Sequence, residues 1–345
     1  MTLLVSVDEG STSNKLAYLD NGEVVSLVTP VSFRKGWKNA NFVTRNEIYN
    51  YEIDGVKYTY DETSENSIES TQIEFQYSHT NLLSVHHALL NSGLEPQDVK
   101  LIVTLPITLF YNAEDAQRND ENVRRKKEHI MREVSVNKRT PFNIVDVEVV
   151  PESASACLSL LEDMQVGNFS RTLCIDVGGT TTDMSLVVGQ YREISGVYGN
   201  SKLGVSKVTN VARNALIDAE SFVSHYVANE FIKRRNEREL CLEIVNDSGK
   251  LDTVLTKIEN AIDELGQEVA DEALKACKNP NNILIFGGGA SLVEKRITEA
   301  YPAIRNRIVV LPDSQTRQSV ENLLFFASQE ENTMTESAVE MTAHG

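Results

Sequence analysis

The chain has 345 residues, 41 % of them hydrophobic and 24 % charged, with a formal net charge of −17. Two domains with a cleft between them are expected at that length, since single cores stop growing at roughly 250–300 residues. The acidic balance disfavours direct binding to a nucleic-acid backbone, and no apolar run approaches the ~18 residues that a membrane helix needs.

The opening Met1-Thr2-Leu3-Leu4-Val5-Ser6-Val7-Asp8 has no basic region, so it reads as a first strand rather than a signal peptide. A cytoplasmic location without membrane contact is expected. Strands Lys15–Leu19 and Val24–Val28 follow around Asn21-Gly22, the strongest short-range hairpin signal, and a second hairpin, Ile48–Ile53 with Val56–Tyr60, turns at Asp54-Gly55. Residues 61–71 are loop-like. From Asn81 to Leu90 the apolar spacing is helical and Gly93 is the stop. His79, His86 and His87 offer no ligand pair at i, i+4 and are expected to be surface or satisfied core histidines. Between strands Leu101–Leu105 and Ile144–Val150, the run Arg124-Arg125-Lys126-Lys127 sits among acidic residues, which favours a solvated mixed-charge helix face over a DNA patch.

Further on, Thr172–Asp176 and Asp183–Val188 read as paired strands, followed by a loop at Tyr198–Gly204 and a helix from Ser206 to about Ala219. Apolar residues recurring every three or four positions from Leu251 to Leu274 mark a long amphipathic helix. A strand at Ile283–Phe286, a turn at Gly287–Ala290 and a helix from Leu292 complete the regular part. Residues 329–345 are polar and aromatic-free, and a disordered tail is expected there. The four cysteines form no C-x-x-C and read as reduced core residues.

The chain repeats itself once. Val5-Ser6-Val7-Asp8-Glu9-Gly10-Ser11-Thr12 and Leu173-Cys174-Ile175-Asp176-Val177-Gly178-Gly179-Thr180 share the form of an apolar strand, Asp, any residue, Gly, a small residue, then Thr. Two copies predict two similar domains facing one ligand. Each turn alone is compatible with a plain glycine hairpin. As a pair, they are suited to cradling phosphate oxygens in backbone N–H groups and hydroxyls. Gly10, Ser11 and Thr12 would do so in one domain, and Gly178, Gly179, Thr180 and Thr181 in the other. Asp8 and Asp176 would then lie where phosphates enter, which calls for a cation between them. Mg²⁺ meets that need, because it keeps several waters and bridges sparse carboxylates to phosphates. Lys15 follows the first turn and offers a point charge to a phosphate.

Gly287-Gly288-Gly289-Ala290 leads from strand to helix without matching a dinucleotide fingerprint; it is either an ordinary turn or a flat cover for adenine or ribose. Glu152, in Pro151-Glu152-Ser153-Ala154, either polarises the water that attacks a γ-phosphate or is a helix N-terminal acid favoured by the dipole.

These elements resemble the actin, DnaK-type chaperone and sugar-kinase superfamily. Asp8–Thr12 resembles its first phosphate motif, Asp176–Asp183 its second and Gly287–Ala290 its adenosine motif. A finer resemblance, to the plasmid-segregating ParM (StbA-like) proteins, adds His86-His87-Ala88-Leu89-Leu90, Thr104-Leu105-Pro106, Pro151-Glu152-Ser153 and Leu203-Gly204-Val205-Ser206. It implies an α/β, actin-like ATPase fold, two lobes with ribonuclease-H-like cores around a nucleotide cleft. Lobe I would span 1–164 with a small insert at about 34–92, lobe II 165–312, and a helix at 313–328 would return to lobe I. By the same resemblance Glu152 and Asp176 are catalytic, Asp8 and Asp176 hold Mg²⁺ through water, and Asp183 joins the nucleotide-binding set. The implied activity is hydrolysis of ATP, with GTP left open, coupled to self-assembly into filaments. A DNA-binding adaptor of the ParR type would link the filament to DNA. A small-molecule kinase or another bacterial actin-like filament is the alternative.

Overall fold

The structure, a computed structural model, describes residues 2–39, 47–112, 114–153, 157, 161, 164–190 and 192–343, with side chains described as far as residue 330. Strands β1 (Leu3–Glu9), β2 (Ser13–Asp20) and β3 (Glu23–Pro30) form an antiparallel meander. Asn21 and Gly22 join the last two with φ of 51° and 86°, the positive values that a two-residue turn needs to match strand twist. Strands β4 (Phe33–Lys35), β5 (Asn50–Ile53) and β6 (Val56–Tyr60) precede a 3-10 helix, Ile73–Tyr77, and helix α1 (His79–Leu90). After β7 (Asp98–Leu105) come α2 (Ile107–Phe110), α3 (Asp120–Ile130), β8 (Ser135–Val136) and β9 (Asn143–Pro151).

The first large sheet has the order β3-β2-β1-β7-β9, with β7 and β9 parallel to β1. The second half of the chain builds the same sheet again. Strands β10 (Arg171–Val177), β11 (Thr182–Val188), β12 (Glu193–Asn200), β13 (Asn282–Phe286) and β14 (Ile308–Val310) take the order β12-β11-β10-β13-β14. The repeat therefore extends from one turn to a whole sheet, with β10 in the place of β1. Around this second sheet lie α4 (Ser206–Asp218), α5 (His225–Lys233), α6 (Arg238–Ile244), α7 (Leu251–Ala276) and α8 (Ala290–Ala300). The stripe predicted on α7 is buried at Leu251, Val254, Ile258, Leu265 and Val269, in one core with Ile175 and Ile285. Two α/β lobes built on matching sheets are the architecture that the sequence resemblance implied.

The structure adds to the sequence reading at three places. The small sheet, β4-β6-β5-β8, takes its last strand from residues 135–136, outside the block 34–92, and α1 packs into one core with Val5 and Leu16 of the first large sheet. Residues 198–200, read as the start of a loop, belong to the edge strand β12. The last helix, α9 (Arg317–Ala343), lies against β1, β2 and β3 and runs past residue 329, where a disordered tail was expected. Polarity excludes a packed core for that segment but not a helix, whose hydrogen bonds are internal.

Candidate functional site

The two repeated turns meet face to face. Ser11 Oγ lies 2.6 Å from Thr180 Oγ1, and a Cβ on Gly179 would stand 2.6 Å from Thr12 Cγ2. Only glycine allows that approach. The second turn is anchored from behind, because the Val205 and Ser206 amides at the start of α4 donate to the carbonyls of Gly178 (3.0 Å) and Gly179 (2.8 Å).

Strand register places Lys15 opposite Asp8 and Asp183 opposite Asp176, so the two copies carry a cation and an acid at one position. Lys15 Nζ is 3.0 Å from Asp8 Oδ2, while Thr104 Oγ1 donates to Asp8 Oδ1 at 3.1 Å. Burial works against the Lys15 charge, yet Asp8, Asp176 and Glu152 outweigh it and hold its pKa above the usual value. Burial and the charge of Asp8 push Asp176 up to about 8. Glu152 is likewise raised, first by burial and then by Asp183, Asp8 and Asp176. Asp183, pushed up by burial to about 6, is hydrogen-bonded to Thr181 of the second turn and sits beside Glu152, and its Oδ1 accepts from the Ile107 amide at 3.1 Å.

Glu152 directly follows β9, with its amide donating to Leu105 O at 2.8 Å. Ser153 follows with a φ of 65°, and its amide donates to Gln318 Oε1 of α9 at 3.0 Å. Left-handed backbone at a non-glycine residue is a local strain of the kind that collects at functional sites. The helix expected to start here lies at residues 154–156 and beyond, largely outside the described residues.

Two spaces open from this junction. An inner chamber of about 40 Å³, room for a water or two, is lined by Asp8, Gly10, Ser11, Lys15, Glu152, Asp176 and Gly178–Thr181. The chamber also has Gln72, Phe75 and Gln76 in its wall. An outer cleft of about 480 Å³ lies between Thr12, Val28 and Pro30 of the first lobe and Tyr226, Asn229, Glu230, Lys233 and Gly288 of the second. That volume suits a nucleoside. Of the three glycines, Gly288 lines this cleft. Gly287, at a φ of 85°, is fixed by close packing, since a Cβ would collide with Asp176 Oδ1 and lie 2.7 Å from Val177 O. Gly289 is needed against Val177 and Val205, at 2.6 and 2.7 Å from a built Cβ, so it serves the turn rather than the cleft wall.

The sequence profile described as plasmid segregation protein ParM, N-terminal, matches residues 3–163, and that described as plasmid segregation protein ParM, C-terminal, matches residues 166–321. The chain belongs to the ParM family. No curated protein sequence matches it. Among solved structures it is similar to a 15-stranded ParM filament from Clostridium botulinum, at 15 % identity and a TM-score of 0.69, covering 94 % of this chain and 98 % of that one. It is also similar to Ta0583, an archaeal actin homolog, at 18 % identity and a TM-score of 0.65, covering 95 % and 100 %. Ta0583 has also been solved in complex with ADP, where the identity is 16 %, the TM-score 0.63 and the coverage 93 % and 97 %. At these identities the likenesses show the ParM and actin-like fold.

Sequence reading missed part of the wall of the outer cleft of this ParM-family chain. The polar face of α5, Tyr226, Asn229, Glu230 and Lys233, has the spacing i, i+3, i+4, i+7 opposite buried Ala228, Phe231 and Ile232, a signal available in the sequence. Lys126 is a correction. In place of a solvated face it is fully buried, 3.0 Å from the equally buried Glu9 Oε2. Among the histidines, His87 Nδ1 meets the Tyr51 hydroxyl at 2.7 Å, but His86 is buried with both ring nitrogens unpartnered, so it is not a satisfied core residue. All four cysteines are free and buried.

Proposed function

We propose that this chain binds Mg-ATP between its lobes, hydrolyses it, and assembles into nucleotide-dependent filaments that segregate plasmid DNA through a DNA-bound adaptor of the ParR type. The observation that carries this reading is the meeting of both phosphate-type turns over one chamber that also holds Asp8, Lys15, Glu152 and Asp176. Membership of the ParM family and the ADP complex of a fold relative support it.

Gly10, Ser11 and Thr12 from one lobe, and Gly178, Gly179, Thr180 and Thr181 from the other, would hold the phosphates, with Lys15 supplying a positive charge. The nucleoside would occupy the outer cleft against Gly288 and the polar face of α5. Among the described residues no group of three His, Cys, Asp or Glu side chains is arranged to hold a metal unaided. The donors nevertheless fit a hydrated Mg²⁺, because Asp176 is a buried acid raised to about 8 that a cation would ionise, while Asp8 is already engaged by Lys15 and Thr104. Bound there, Mg²⁺ supplies charge neutralisation on the phosphate oxygens.

Glu152 is the proposed base. Burial and the neighbouring acids Asp183, Asp8 and Asp176 raise its pKa, which makes its carboxylate a stronger base than an exposed one. As water oxygen bonds to the γ-phosphorus and the bond to the β,γ-bridging oxygen breaks, the water proton passes to Glu152, with Asp183 beside it as a positioning residue. Lobes at about 1–164 and 165–312, with α9 returning to the first, would close on the triphosphate. Matching filament surfaces would form only in that state. No helix among the described residues is long and apolar enough to cross a membrane. A cytoplasmic setting belongs to the same proposal.

The test is Mg-ATP calorimetry with phosphate-release assays on the wild type and on Asp8→Ala and Asp176→Ala. Both variants are expected to bind and hydrolyse more weakly. Unchanged affinity in both would overturn the assignment of the chamber.

A further inference from the structure

The polar group least expected from the sequence is Lys126, on α3, with no exposed side-chain surface. Its ammonium is 3.0 Å from Glu9 Oε2, and donates to Gln76 O at 3.0 Å, Gln76 Oε1 at 2.8 Å and Asn81 Oδ1 at 3.1 Å. Gln76 in turn donates through Nε2 to the backbone carbonyl of Glu9 at 3.3 Å. The Glu9 amide donates to Thr104 Oγ1 at 3.2 Å, the hydroxyl that also holds Asp8. One buried cation thus joins the first phosphate turn to the segment ending in the 3-10 helix Ile73–Tyr77, and Glu9 and Gln76 both line the inner chamber.

Burying a lysine and a glutamate costs desolvation that an apolar pair of similar size would avoid, so such a pair is weak evidence for stability alone. This network binds two walls of one small chamber. We infer that Lys126 is a positioning residue for hydrolysis: it locks Gln76 against residue 9 and thereby fixes where the attacking water stands. The inference deepens the proposed hydrolytic reading and rests on it. It adds a requirement that neither the turns nor Glu152 imposes by itself, because the segment carrying Gln76 comes from outside the repeated sheet.

Lys126→Met alone leaves the buried Glu9 carboxyl without its cation, and is expected to fold poorly. The decisive variant is therefore the double substitution Glu9→Gln with Lys126→Met, which removes both charges together. The full-length protein would be compared with the wild type in three ways: melting temperature, phosphate release at saturating Mg-ATP, and hydrogen-exchange protection of residues 72–77. If Lys126 positions the chamber wall, the double variant melts close to the wild type and keeps its nucleotide affinity. Its turnover should nevertheless fall by roughly tenfold or more, the scale of a small misplacement at a reacting centre, and residues 72–77 should lose protection. Wild-type turnover and wild-type protection in a stably folded double variant would overturn the inference. A wild-type protein that binds Mg-ATP without releasing phosphate would instead sink the hydrolytic reading, and the inference with it; exchange protection would then still decide whether the pair orders the wall.

Discussion

Lys15 and Asp183 stand at the same register position in two copies of one hairpin, and the difference between them gives the site its polarity. The first copy neutralises its aspartate with a lysine, whereas the second leaves Asp176 without a cross-strand cation and places an acid beside Glu152. Glu152→Gln should therefore keep nucleotide affinity and lower phosphate release by roughly 10²-fold or more, the range expected when a general base is lost. A wild-type rate would leave Glu152 without a chemical role. The negative charge of Asp183 contributes to the raised pKa of Glu152, so Asp183→Asn should lower that pKa and carry the acid limb of the pH–rate profile to lower pH. An unmoved or oppositely moved limb would contradict the pairing. The Asp, Gly and Thr of each turn were legible because their chemistry is local and occurs twice. The contact of Asp183 with the Ile107 amide was not legible, because that amide comes from the other lobe. Nothing in Arg124-Arg125-Lys126-Lys127 marks Lys126 as buried, since that depends on Glu9, Gln76 and Asn81 from distant segments.

Elements with strong local periodicity or turn chemistry were read from sequence, including the hairpins at Asn21-Gly22 and Asp54-Gly55 and the stripe of α7. Strand β12 was not, because it is an edge strand with glycines where strand formers are expected. The structure supplies the reason: a Cβ at Gly199 would stand 2.7 Å from Thr108 Cγ2 in the facing lobe. The turn after β13 is similarly constrained. Gly287→Ala would require both a left-handed alanine and displacement of Asp176, so it should weaken Mg-ATP binding markedly in calorimetry. Unaltered affinity would show that the turn can relax. On α1, burial holds His86 down at about 4. Between an unfolded value near 6.5 and that folded value, the unfolded chain binds the additional proton, so this residue's contribution falls as pH drops through the window. Thermal melts of His86→Leu should accordingly lose less stability between pH 6.5 and 4 than those of the wild type. A slope equal to that of the wild type would remove His86 from the acid response.

At the scale of the whole molecule, the lobes touch beyond the nucleotide turns. Ser224 Oγ, at the start of α5, donates to Glu62 O at 2.6 Å, and His225 lies 3.9 Å from Glu69, so the mouth of the cleft is bridged from lobe II to the loop after β6. Nucleotide held between these contacts would favour one closed arrangement, and assembly would follow from that arrangement rather than from any single patch. The net charge of −17 makes counterion release from DNA a poor source of affinity, which is why the segregation role is assigned to an adaptor. Anisotropy titrations at about 0.15 M salt should show no micromolar binding of the protein alone to arbitrary duplex DNA, and such binding would refute the adaptor requirement. The most direct measurement of the central claim is sedimentation of the purified protein with ATP, with ADP and without nucleotide, with phosphate release followed in the same samples. A pelleted fraction that appears with ATP and declines as phosphate is released is the predicted result, and a fraction equal under all three conditions would contradict it.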